Sequence, residues 1–140
     1  YLKRADNYLK NKDYFLAKRF YERAFRKFKV IRDHKGQFLS LKGLGDVNMY
    51  KGYFDRGFDM YNRASYFAHR SGMVYTYAFV ELCRNVARVH ESHRYYGNAV
   101  RSMQIAVNVG RKIGSSTIGA DSKYLSKLQV LRKKHGDMPY

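Results

Sequence analysis

The chain has 140 residues and a mass of 16.5 kDa, with 28 Lys and Arg against 11 Asp and Glu, a formal net charge of +17 and a pI near 10.1. This length excludes a multidomain enzyme, and no run reaches the ~18 apolar residues that a membrane span needs, although a hydrophobic fraction of 45% is enough to bury a core. The single cysteine, Cys83, excludes an intramolecular disulfide and suits a reducing compartment, so the expected location is intracellular, in the cytoplasm. Such an excess of cations predicts attraction to something acidic: a peptide, RNA or an anionic surface. The chain opens on Tyr1 rather than Met, and its first stretch, YLKRADNYLKNK, is charged and has no secretory apolar region. It reads as a single domain over 1–140, cut from a longer polypeptide.

Three units follow one another. Aligning Lys12-Asp13-Tyr14 with Gly52-Tyr53-Phe54 and Arg94-Tyr95-Tyr96 places Ala17 on Gly57 and Ala99, Tyr21 on Tyr61 and Met103, and Ala24 on Ala64 and Ala106, at spacings of 40 and then 42 residues. Carried backward, the frame puts Ala5 on Gly45 and Ala87, and Tyr8 on Asn48 and His90. The units are expected over about 1–35, 36–73 and 74–114, each a pair of antiparallel helices. In the second helix of the first unit, Phe20, Ala24, Phe28 and Ile31 recur at steps of three and four, with Lys18, Arg19, Glu22, Arg23 and Arg26 on the other side. Gly36, Gly72 and Gly114 each follow a basic helical run, where a left-handed residue ends a helix without a Cβ penalty. A seventh, capping helix is expected over about 116–134, from Ile118, Tyr124, Leu125, Leu128 and Leu131, with Ser115, Ser116 or Thr117 capping its start. No strand is expected.

Small residues at the aligned positions let helices approach to the short end of the ~8–10 Å range. A unit that cannot bury its apolar face alone must stack on its neighbours, so the expected architecture is an all-α, right-handed superhelix with first helices lining an inner wall. The stretch LGDVNMYKGYFDRGFDMYNRA, Leu44 to Ala64, resembles a tetratricopeptide repeat: Leu44-Gly45, the Gly52-Tyr53 turn, Gly57, Tyr61 and Ala64 match its small and aromatic positions. Ala17, Tyr21 and Ala24, and Ala87, Ala99 and Ala106, follow the same pattern less fully, and the resemblance covers nearly all of 1–113. Spacings above the ~34 residues of the standard repeat resemble the long-helix variety of Pins-type adaptors and rapsyn. The resemblance implies a protein interaction module that holds a peptide in its concave groove, and it implies no catalysis.

The chain's own chemistry agrees. His90 and His93 sit three apart without a third ligand nearby, so no metal is expected, and Cys83 lies two helical turns, about 10 Å, from His90, too far for a nucleophile and its base. No glycine run forms a phosphate cradle, and no cofactor or enzymatic activity is expected. Charge carries the functional information: +8 over 1–35, +6 over 36–115 and +3 over 116–140. On the first helices, Asp6 and Lys10, then Lys42, Asp46 and Met49, then Glu81, Arg84 and Arg88, are expected to face away from the partner helix and line the groove. There Lys10, Lys42, Arg84 and Arg88 would pair with acidic side chains of a partner segment, Asn48 or Asn85 would hold its backbone, and Met49 would offer an apolar patch. The alternative is a ribonucleoprotein scaffold that meets phosphates with the outer stripe Arg19, Arg23, Arg26 and Lys27. Self-association through apolar ends near Leu2 and Leu9 is a third expectation.

Overall fold

The computed structural model describes residues 1–137. Its regular elements are α1 (Leu2–Lys10), α2 (Tyr14–Val30), α3 (His34–Tyr50), α4 (Phe54–Ser71), a 3-10 turn (Met73–Tyr75), α5 (Tyr77–Ser92), α6 (Tyr96–Ile113) and α7 (Ile118–His135), with no strand among the described residues. They form two compact units, one over Tyr1–Met73 and one from Val74 onward. In the first, α1 packs on α2 and α3, α2 on α3, and α3 on α4; in the second, α5 packs on α6 and α6 on α7. No helix among the described residues is long and apolar enough to cross a membrane.

Side-chain caps decide where several helices begin. Asp13 accepts a hydrogen bond from the Leu16 amide at 3.2 Å, Asp33 from Gly36 at 3.0 Å and Thr76 from Phe79 at 3.3 Å, each satisfying an amide that the helix itself leaves open, for about 1 kcal/mol. The three hairpin turns share one left-handed position, filled by Lys12 (φ 63°), Gly52 (φ 82°) and Arg94 (φ 61°), which are the residues aligned in the repeat. Gly72 and Gly114 end α4 and α6 in the left-handed conformation, as expected. Gly36 does not end a helix. The Asp33 cap starts α3 ahead of it, Arg32 takes the left-handed turn (φ 57°), and Gly36 serves close packing, since a Cβ there would lie 2.6 Å from Phe28 Cδ2. Ile31, expected on the apolar stripe of α2, falls just past the helix and is exposed.

The repeat frame predicts burial well. Ala5, Ala87, Ala17, Ala99, Ala24, Ala64, Ala106, Tyr21, Tyr61 and Met103 are all buried, and Gly45 and Gly57 with them. Two tyrosines act as crossbars. Tyr21 lies against the backbone at Gly43 and donates its hydroxyl hydrogen to Asp6, while Tyr61 lies against Gly45 and donates to Asp46 Oδ1 at 2.5 Å. A bulky ring on α2 or α4 thus needs a glycine on α3, and the carboxylate 15 positions earlier in sequence satisfies its buried hydroxyl. The third hairpin has Arg88 and Met103 at these places and therefore lacks the crossbar. The last turns of α2 border an open apolar slot of about 820 Å³ lined by Tyr1, Leu2, Ala24, Phe28, Val30 and Ile31. Leu2 is half-buried at its wall, and Leu9 is half-buried elsewhere on α1.

Candidate binding cleft between α5 and α7

Within the second unit, α5 carries Arg84, Arg88 and Glu91 at steps of four and three, so they share one helical face. The start of α7 does the same with Thr117, Asp121 and Tyr124. These two faces line a polar cleft of about 600 Å³, with Ala120 and Lys127 completing its wall. Long side chains span it. Arg84 grips Asp121 through two parallel hydrogen bonds, Nε to Oδ1 at 2.7 Å and Nη2 to Oδ2 at 3.0 Å, and its Nη2 also donates to Thr117 Oγ1 at 3.1 Å. Thr117 donates in turn to Asp121 Oδ2 at 2.9 Å, and Ser115 Oγ accepts from the Thr117 amide at 3.2 Å. Tyr124 closes the far side by donating to Glu91 Oε1 at 2.6 Å.

This wiring decides which groups remain to meet a partner. Asp121 is only 2% exposed, and its bidentate bonds hold Arg84 protonated well above the ordinary guanidinium range, so Arg84 is a strut between helices. Burial, followed by the Glu91 hydrogen bond, likewise pushes the Tyr124 phenol up and keeps it neutral. Arg88 is different: it is exposed and shares one nitrogen with Asn85 Oδ1 at 3.3 Å, leaving most of its donors open. Lys127, largely exposed, stands 3.5 Å from Glu91 Oε2, a loose surface pair. With Asp121 matched by Arg84 and Glu91 loosely by Lys127, the cleft is left, among the described residues, with one unmatched cation, Arg88, at its rim.

The first unit's expected groove residues are placed otherwise. Lys10 is exposed at the end of α1. Lys42 Nζ lies 2.8 Å from Asp46 Oδ2, both largely buried, and Asp46 also serves Tyr61, so these two point toward α4 rather than away from it. Met49 packs beside Gly57 of α4, its Sδ 3.3 Å from the place of a Cβ there, and Asn48 donates to Leu44 O at 2.9 Å within its own helix. Glu81 is half-buried on α5. The structure thus brings together Arg84, Asn85 and Arg88, while α7 supplies Thr117, Asp121, Tyr124 and Lys127, which sequence reasoning treated as part of a mere cap. Their spacing on one face, with Asp121 the sole acid between 116 and 136, was the available signal.

The outer basic stripe is folded over rings. Arg23 and Arg4 lie over Phe20 at 5.4 and 5.8 Å, Lys27 over Tyr1 at 4.8 Å and Arg19 over Phe15 at 5.9 Å, while Arg26 borders the apolar slot. Cys83 is buried, and the apolar surroundings push its thiol up to about 12, which leaves it inert as a nucleophile. His90 is half-buried and His93 exposed; burial, then the charges of His93 and Arg101, hold His90 below the ordinary imidazole value. No group of three or more His, Cys, Asp or Glu among the described residues could hold a metal ion. No protein-family model matches the chain, and comparison with curated proteins finds no significant match.

Proposed function

We propose that the chain is a non-catalytic adaptor that binds an acidic or mixed peptide segment of a partner protein, with the α5–α7 cleft as its seat. In this reading the three hairpins are tetratricopeptide-like, stacked as a right-handed superhelix and closed by α7. One observation carries it: both carboxylates of the cleft already have cationic partners, Arg84 for Asp121 and, loosely, Lys127 for Glu91, while Arg88 faces solvent at the rim beside the exposed Lys127. Carboxylates of a bound segment would meet Arg88 as a fork and Lys127 as a point charge, and Asn85 would add a polar contact. Each charge-assisted contact contributes about 1.5–3 kcal/mol where desolvated and less at the rim.

Because Arg84 is a strut, reversing it would strand Asp121, so the test leaves it alone. Selection from a random peptide display library on RNase-treated protein should enrich Asp- and Glu-containing peptides, and Arg88→Glu with Lys127→Glu should lose them while the helical circular dichroism is retained. Enrichment of basic or purely apolar peptides, or acidic peptides that still bind the reversed variant, would overturn the assignment.

A further inference from the structure

The two hairpin turns of the first unit lie side by side. Tyr14, the first residue of α2, stacks on Tyr50, the last of α3, with ring centroids 6.1 Å apart and planes 7° from parallel. This brings the turn after α1 and the turn after α3 to one edge, and the aromatic residues of both turns are exposed there: Phe15 at 67%, Tyr50 at 68%, Tyr53 at 48%. Cations stand over two of these rings. Arg19 lies over Phe15 at 5.9 Å, and Lys51 and Arg56 lie over Tyr53 at 5.5 and 5.1 Å. Among the described residues, none of the three is ion-paired to a carboxylate, and Asp13, the acid of the first turn, is occupied as the cap of α2.

We propose that this edge binds single-stranded RNA, with bases stacking on Phe15, Tyr50 and Tyr53 and phosphates meeting Arg19, Lys51 and Arg56. The site is separate from the peptide cleft and lies wholly within the first unit. Single scattered aromatics on a surface need no explanation, but exposed rings gathered at two adjacent turns, two of them beneath cations that form no ion pair, repeat the two elements that sequence-tolerant single-strand binders combine. An acidic peptide would satisfy the cations and leave the rings unused. A bilayer would call for aliphatic anchors, and the exposed aliphatic residues of this unit, Val30 and Ile31, sit at the opposite end of α2 from Phe15. A duplex hides the faces of its bases within its own stack, whereas a single strand presents them.

The test is fluorescence anisotropy of the full 140-residue chain with a labelled oligouridylate of about 12 nucleotides. Binding is expected, with log K falling by about 0.7 against log salt for each phosphate contacted. Alanine at Phe15, Tyr50 or Tyr53 should weaken it by about 5- to 150-fold per ring without changing that slope, while Tyr53→Phe keeps the affinity. Arg56→Ala should lower the slope by about 0.7. Circular dichroism of each variant checks folding, and Arg88→Glu with Lys127→Glu should bind the RNA as the parent does. The proposal is overturned if the chain does not bind oligouridylate, if the ring variants bind unchanged so that charge alone accounts for affinity, or if the rings matter instead for phosphatidylserine vesicles, polyglutamate or duplex RNA.

Discussion

Replacing Gly45 by alanine sets two effects of opposite sign against each other. A mid-helix glycine costs about 1 kcal/mol relative to alanine, so propensity alone favours the change. Against this, the new Cβ would fall 2.6 Å from Tyr61 Cδ1 and nearer still to Cε1, about 1 Å inside the optimum for carbon contacts. The ring cannot swing away, because Tyr61 is fully buried and its hydroxyl is bound to Asp46, whose other oxygen holds Lys42. Overpacking of a core costs about 1–3 kcal/mol, and a ring pinned at its far end belongs at the upper figure. The net expectation is a destabilisation of about 2 kcal/mol, or about 8–16 °C in Tm for a unit of this size. The same substitution at Gly119, in the first turn of α7 with open space around it, should instead stabilise by about 0.5 kcal/mol. Urea titrations followed by circular dichroism measure both. Adding Tyr61→Leu to Gly45→Ala should recover part of the loss, since the two sites share one contact. A Gly45→Ala variant as stable as the parent would refute the claim that the glycine exists to admit the ring.

Other consequences follow from buried polar groups. Arg84→Met strands the Asp121 carboxylate with only the Thr117 hydroxyl and should cost about 3–5 kcal/mol in the second unit, whereas adding Asp121→Leu should restore most of it, as chemical denaturation would show. Tyr21 and Tyr124 are held neutral above the ordinary phenol value, chiefly by burial and then by Asp6 and Glu91. Their folded pKa values are raised, so their contribution is complete below pH ~10 and lost as pH climbs past it. Thermal melts from about pH 8 to 11 should show this alkaline loss, weakened in Tyr21→Phe with Tyr124→Phe. Cys83, with its thiol pushed up to about 12, should react with a thiol reagent only as fast as the native state opens; modification at the rate of a free thiol would contradict its burial.

Helix positions and buried small residues were legible because both follow from local periodicity. Ala17, Gly57 and Ala99 recur in sequence for the same reason that they are buried in space. Gly36 was misread because its capping partner, Asp33, precedes it by three residues, and a cap moves a helix start without altering the hydrophobic pattern. The groove was harder. Asp46 and Met49 look like solvent-facing positions on a helical wheel, yet Asp46 is claimed by a tyrosine hydroxyl 15 residues away, and Met49 by the space that Gly57 leaves. Periodicity assigns a face to a side chain but cannot say which distant hydroxyl or guanidinium will neutralise it, and Arg84 shows the same gap from the other side.

How each unit uses its charges separates them further. The second unit spends cations on its own carboxylates, through Arg84 with Asp121, Lys127 with Glu91 and Arg132 with Asp137. In the first hairpin two of the three acids have other partners, Asp6 a phenol and Asp13 the amide of a helix cap, and several of its cations lie over aromatic rings. A ring quadrupole attracts a cation without cancelling its charge, so a guanidinium over Phe20 or Phe15 still presents its N–H donors and its full field to solvent. The first unit carries the larger share of the net charge, 17 Lys and Arg against 7 Asp and Glu over residues 1–73 and 11 against 4 over residues 74–140, and apart from Lys42 with Asp46 its Lys and Arg side chains form no ion pair among the described residues. Partners drawn to that unit should lose affinity steeply as salt rises, whereas in the second unit the Arg84–Asp121 pair is shielded from screening by burial and the exposed Lys127–Glu91 and Arg132–Asp137 pairs are not.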